Sequence, residues 1–184
     1  EESASQAKAI ARARESDHTH TEIQGWLRDL GLALGFDVWV ASNDRSRAYG
    51  TGRLADGCRG ELPAVFTSSS AAETIRLIDI LWLDRTSGRA EAAFEVEHTT
   101  SIYSGIVRML DLALGFESED QPAGAYFLVA PDEREEEVRA QLARPAFSRV
   151  RDLALSYLRW GGLRQHREAI ARFGSGLKAV RALT

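Results

Sequence analysis

The sequence predicts an α/β fold, a mixed central β-sheet flanked by helices. Two observations carry this. Strand-like segments recur along the chain, one alternating and one an unbroken apolar run, and the later strands are separated by stretches with apolar residues three and four apart. The expected order is helix, strand, long loop, two strands joined by a turn, then helix, strand, helix, strand and helix, without internal repeats.

Residues 3–14 alternate Ala with charged residues and read as a helix. Polar residues at 17–21 suggest a break, after which Ile23, Trp26, Leu27, Leu30 and Leu34 mark a second helix ended by Gly35. The expected organisation is therefore an N-terminal helix or linker over 1–17 and one domain over 18–184 with a basic C-terminal part. Phe36, Val38, Trp39 and Val40 form a short strand. Residues 41–70 are rich in Gly, Ser, Arg and Asp and read as a loop with room for a short hairpin. Strands are expected over 74–83 and 89–97, joined by a turn at 84–88. Ile102, Ile106, Met109, Leu110 and Ala113 mark a buried-face helix. The run GAYFLVA at 124–130 suits a strand covered on both faces. A charged helix over 131–143, a strand over 149–155 and a helix over 162–173 complete the chain.

Cys58, the single cysteine, can form neither an intramolecular disulfide nor a cysteine-pair metal site, which points to a reducing cytoplasm. No apolar run reaches the roughly 18 residues of a membrane span, so no membrane partner is expected. The chain begins without Met, so an additional domain N-terminal to residue 1 is expected. The net charge of −4 conceals an asymmetry: from Val138 onward ten basic residues face two acidic ones. A basic tail beside an acidic remainder suits an acidic site next to a nucleic-acid-binding face, although solvated arginines on helix surfaces would give the same count.

The chemistry concentrates in 77–111. On a strand, Glu95 and Glu97 project from one face about 7 Å apart at Cα. Asp79, between Ile78 and Ile80, reaches the same place if the two strands pair. Two carboxylates about 4 Å apart repel by about 4 kcal/mol at an effective dielectric near 20, a cost that a divalent cation removes. Mg²⁺ is the expected ion, with Mn²⁺ able to substitute.

Ile78-Asp79, fifteen intervening residues, then Glu95-Val96-Glu97 followed by His98-Thr99-Thr100-Ser101 and a helix resembles the PD-(D/E)xK phosphodiesterase superfamily over roughly 17–143. That resemblance implies a restriction-endonuclease-like fold and Mg²⁺-dependent hydrolysis of DNA. It implies metal binding by Asp79, Glu95 and the Val96 carbonyl, with Glu22 completing the shell from the helix before the first core strand. Glu97 stands where the superfamily usually has lysine, as a third ligand or general base, or as the mark of a degenerate module that binds nucleic acid or a partner protein without cutting. Ser101, Ser104 and Arg108 lie on one side of the following helix, where they would meet the scissile phosphate. Ser101 as a helix N-cap and Arg108 as an ion-pair partner of Glu95 or Asp111 are the structural alternatives. Cutting both strands would require two sites, hence a homodimer. A zinc reading of His18, His20 and His98 lacks a cysteine pair. A glycosidase reading of Glu95 and Glu97 leaves Asp79, Glu22 and the basic tail unexplained.

Overall fold

The computed structural model describes residues 2–98, 102–116, 124–145, 147 and 155–184. Its first element is one helix, α1 (Glu2–Ala33), where two were expected. The polar residues at 17–21 do not break it. Thr19 and Thr21 donate their hydroxyls to the carbonyls of Glu15 and Asp17, four residues back, at 2.9 and 3.0 Å. Hydroxyls satisfied this way stay inside a helix instead of capping a new one. The helix ends where Gly35 takes a φ of 89° and the Phe36 amide donates to the Gly31 carbonyl at 2.9 Å.

Strand β1 (Asp37–Val40) follows, then a small hairpin of β2 (Ala48–Tyr49) and β3 (Gly52–Arg53), and two single-turn helices, α2 (Ala64–Thr67) and α3 (Ala72–Ile75). The strand expected over 74–83 is only its last part, β4 (Ile80–Leu83). Residues 72–78 wind instead, which buries Ile75 and Ile78 together, and Asp79 stands at the strand's entrance rather than its middle. Next come β5 (Ala90–Val96), α4 (Ile102–Leu114) and β6 (Ala125–Ala130). A 3₁₀ turn at Asp132–Arg134 leads into α5 (Glu135–Leu142). The chain closes with β7 (Leu155–Arg159), α6 (Trp160–Phe173) and α7 (Gly176–Arg181). The last strand thus extends beyond the expected 149–155, of which 149–154 lie outside the described residues.

The sheet order is β1-β4-β5-β6-β7, antiparallel through β5 and parallel from β5 to β7. Alternation sends Val38, Val40, Ile80, Trp82, Phe94, Phe127 and Val129 to one face, under Ile23 and Leu27 of α1, Leu163 of α6 and Val180 of α7. Trp39, Leu81, Leu83 and Ala93 go to the other face, against Met109 and Leu112 of α4. All six residues of β6 are buried, as a strand covered on both faces requires. No helix among the described residues is long and apolar enough to cross a membrane.

This topology positions the site. The chain leaves β1, enters β4 and leaves β5 at the same end of the sheet, since Val40 pairs with Ile80 and Ile80 with Phe94. Asp44, Asp79 and Glu97 all follow or precede a strand at that end.

Candidate active site

Four carboxylates are buried at this end of the sheet: Asp44, Asp79, Glu95 and Glu97, none more than 6% exposed. All but Glu95 line a cavity of about 600 Å³ whose wall includes His20, Asp44, Asp79, Val96, Glu97 and Arg108.

Asp79 joins α1 to β5. Its Oδ2 accepts from the Val96 amide at 2.7 Å, and its Oδ1 accepts from the Gln24 side chain at 2.9 Å and lies 3.5 Å from His20 Nε2. Gln24, itself fully buried, donates from the same nitrogen to Asp44 Oδ2 at 2.8 Å and so ties two carboxylates from different loops together. His20 and Gln24 are four apart on α1 and share its inner face. Glu22 is about 200° from each around the helix and is not on the cavity wall. The helix does bring polar groups to the site, but from the positions on either side of the glutamate chosen from the sequence.

Ligand atoms of His20, Asp44 and Asp79 lie within 4.8 Å of one another. Burial disfavours the charged form of His20, but the contact with Asp79 and the fields of Asp79 and Asp44 outweigh it, and its pKa is raised. Arg47 Nε donates to Asp44 Oδ1 at 2.7 Å and its Nη1 also holds Asp17. Arg45 stacks over Trp39 at 4.7 Å and donates to the Arg59 carbonyl. Arg45 and Arg47, in the loop after β1, are therefore engaged internally.

Glu95 and Glu97 share a face of the sheet but have different surroundings. Glu95 receives a two-pronged contact from Arg108, at 2.8 and 2.5 Å, and does not reach the cavity wall. Burial, then the field of Asp79, raise its pKa well above the usual carboxylate range, with Arg108 pulling the other way. Glu97 does line the cavity. Ser104 and Arg108 bring α4 to the same wall, whereas Ser101, with Thr99 and Thr100, lies outside the described residues. His98 is hydrogen-bonded through Nδ1 to Ser16 at 2.7 Å and stacks on Trp160 at 5.1 Å. Its pKa is lowered by burial and then by Arg134.

Gly105 makes the approach of α4 possible. A Cβ there would stand 2.8 Å from Glu97 Oε1 and 3.1 Å from Glu95 Cβ. Gly105→Val is expected to push α4 away from β5 and cost about 1–3 kcal/mol, the usual range for overpacking. Urea unfolding checks this, and an unchanged midpoint would contradict the close approach.

Asp44, His20 and Gln24 are the site residues that the sequence reading missed or set aside. A usable signal existed for Gln24, a polar residue inside the apolar stripe Ile23, Trp26, Leu27 and Leu30, with His20 one turn earlier. Asp44 had none, standing in an aperiodic loop among other charges.

Residues 2–173 match the family described as Type II restriction enzyme NmeDI C-terminal domain. The chain belongs to that family. It is 32% identical over 139 residues to the Type II restriction enzyme NmeDI of Neisseria meningitidis serogroup C, an alignment covering 71% of this chain and 38% of that protein. The chain thus spans less than half the length of the curated relative it matches. No solved structure gives a significant match. The span matched to the NmeDI C-terminal domain family contains the whole cavity wall, and the mixed five-stranded sheet between helices is a restriction-endonuclease-like fold.

Proposed function

We propose that this chain is the nuclease module of a restriction enzyme, hydrolysing phosphodiester bonds in DNA with a divalent cation, and that it is a PD-(D/E)xK variant carrying Glu95-Val96-Glu97. The observation that carries the reading is the convergence of buried carboxylates from three separate segments on one open cavity. Carboxylates brought together out of water repel, and such an arrangement is retained where a cation is to be held. The residues fit such an ion: His20, Asp44 and Asp79 offer three clustered ligand atoms, and Gln24 restrains two of them without supplying charge.

A bound divalent ion would acidify water and offset the charge that develops on the phosphate. The protein's own groups do the rest. Glu97, on the cavity wall, accepts the proton of the attacking water, the task for which the superfamily usually has lysine. Ser104 and the exposed Arg12, also on the wall, orient the phosphate. Arg108 holds Glu95 in place, and Glu22 has no role at the cavity. Cutting both strands calls for a second copy of the site, hence a homodimer.

Cleavage of supercoiled plasmid and single-stranded DNA in Mg²⁺ and in Mn²⁺ tests the proposal. Cleavage that requires the ion and disappears in Asp79→Ala and Glu97→Gln is the expected result. DNA binding without cleavage by the intact chain would instead identify a degenerate module, and absence of both would overturn the reading.

A further inference from the structure

The donor set at this site is unlike an all-oxygen Mg²⁺ site, and the difference comes from α1. We infer that His20, Asp44 and Asp79 form a mixed nitrogen and oxygen site that prefers a late first-row transition-metal ion, of the Co²⁺ or Zn²⁺ type, over Mg²⁺. The inference rests on the metal-dependent reading above and specifies its ion.

Three features support it. First, His20 Nε2 lies 3.5 Å from Asp79 Oδ1, and one ligand atom from each of His20, Asp44 and Asp79 lies within 4.8 Å of the other two. Tetrahedral ligands at about 2.1 Å from an ion stand about 3.4 Å apart, so the widest of these separations closes by up to about 1.4 Å when an ion binds. Second, the site is built on buried groups. Gln24 is fully buried and bridges the two aspartates through Nε2, while its Oε1 is buried without a partner among the described residues. Third, Arg47 and Asn43 anchor Asp44 through Oδ1, fixing that carboxylate in its loop and leaving a further lone pair on Oδ2 beside the Gln24 contact.

The preference follows from ligand chemistry. Imidazole nitrogen suits Zn²⁺, Ni²⁺ and their neighbours, whereas Mg²⁺ dehydrates reluctantly and takes oxygen ligands and water. An imidazole among the donors therefore strengthens binding of the first group and adds little for Mg²⁺. His18, two residues before His20, is exposed and outside the cluster, which makes it an internal control.

The experiment is calorimetric titration of the whole chain with Co²⁺ and with Mg²⁺, together with the visible absorption of the Co²⁺ form, for the native protein, His20→Asn and His18→Asn. The expected result is Co²⁺ binding at least about tenfold tighter than Mg²⁺. His20→Asn should weaken Co²⁺ by about tenfold or more and alter its spectrum while leaving Mg²⁺ affinity nearly unchanged, and His18→Asn should change neither. Retained Mg²⁺ binding shows that the His20 variant is folded. A Co²⁺ to Mg²⁺ ratio indifferent to His20 overturns the inference. DNA cleavage with such an indifferent ratio would leave the nuclease reading standing alone, whereas a His20-dependent preference in a protein that never cuts DNA would do the opposite.

Discussion

Arg108→Ala is expected to destabilise the protein by about 3 kcal/mol near pH 7 and by much less near pH 4, because it removes the cation from a fully buried carboxylate. The direction with pH follows from the folded pKa of Glu95, which burial and Asp79 already raise and which would rise further without Arg108. A carboxyl whose folded pKa exceeds its unfolded value of about 4.3 binds its proton more tightly in the native state. The stability it contributes is present below the unfolded pKa and is lost as pH rises through the folded one. Urea unfolding at the two pH values measures the effect. Equal losses at both would show that the variant suffers from missing packing alone. Adding Glu95→Gln to Arg108→Ala should recover much of the neutral-pH loss, since the remaining side chain carries no charge.

Asp79→Asn is expected to separate function from stability. Cleavage should fall by at least about 100-fold, since a residue shared by the candidate ion site and the Gln24 bridge would lose its charge. The metal-free protein should nevertheless become more stable by about 1–2 kcal/mol, because relief of the like-charge repulsion, about 4 kcal/mol for two carboxylates about 4 Å apart at an effective dielectric near 20, is partly offset by the lost contact with His20. The contact with β5 can survive the change, since the new amide still has an oxygen for the Val96 amide, whereas Gln24 Nε2 keeps Asp44 and gives up its bond to residue 79. His20 would lose the contact that raises its pKa, so its titration, followed by NMR, should move down. Thermal melts with and without the divalent ion complete the test. A native protein stabilised by the ion and a variant indifferent to it is the expected pair. A variant that is less stable without metal would mean that Asp79 serves the fold more than the site.

Much of this arrangement was written in local pattern. The alternation over 89–97 determined that Glu95 and Glu97 leave β5 on the same face, the apolar run at 124–130 determined a doubly covered strand, and the spacing at 102–114 determined the helix that closes over both glutamates. These properties depend on a period of two or of 3.6 residues, which a sequence displays directly. Tertiary structure alone decided the rest. Whether Glu95 or Glu97 faces the cavity depends on where Arg108 lands when α4 docks, and Gly105 sets how closely it docks. Whether residues 17–21 break the first helix or continue it depends on threonine hydroxyls that can cap or bond backward equally well. That continuity turns His20 and Gln24, not Glu22, toward Asp79. Asp44 comes from a loop with no period at all and joins the others because β1 pairs with β4. Face and period are local properties of the chain, whereas the neighbour that neutralises a given charge is settled only when separate segments pack.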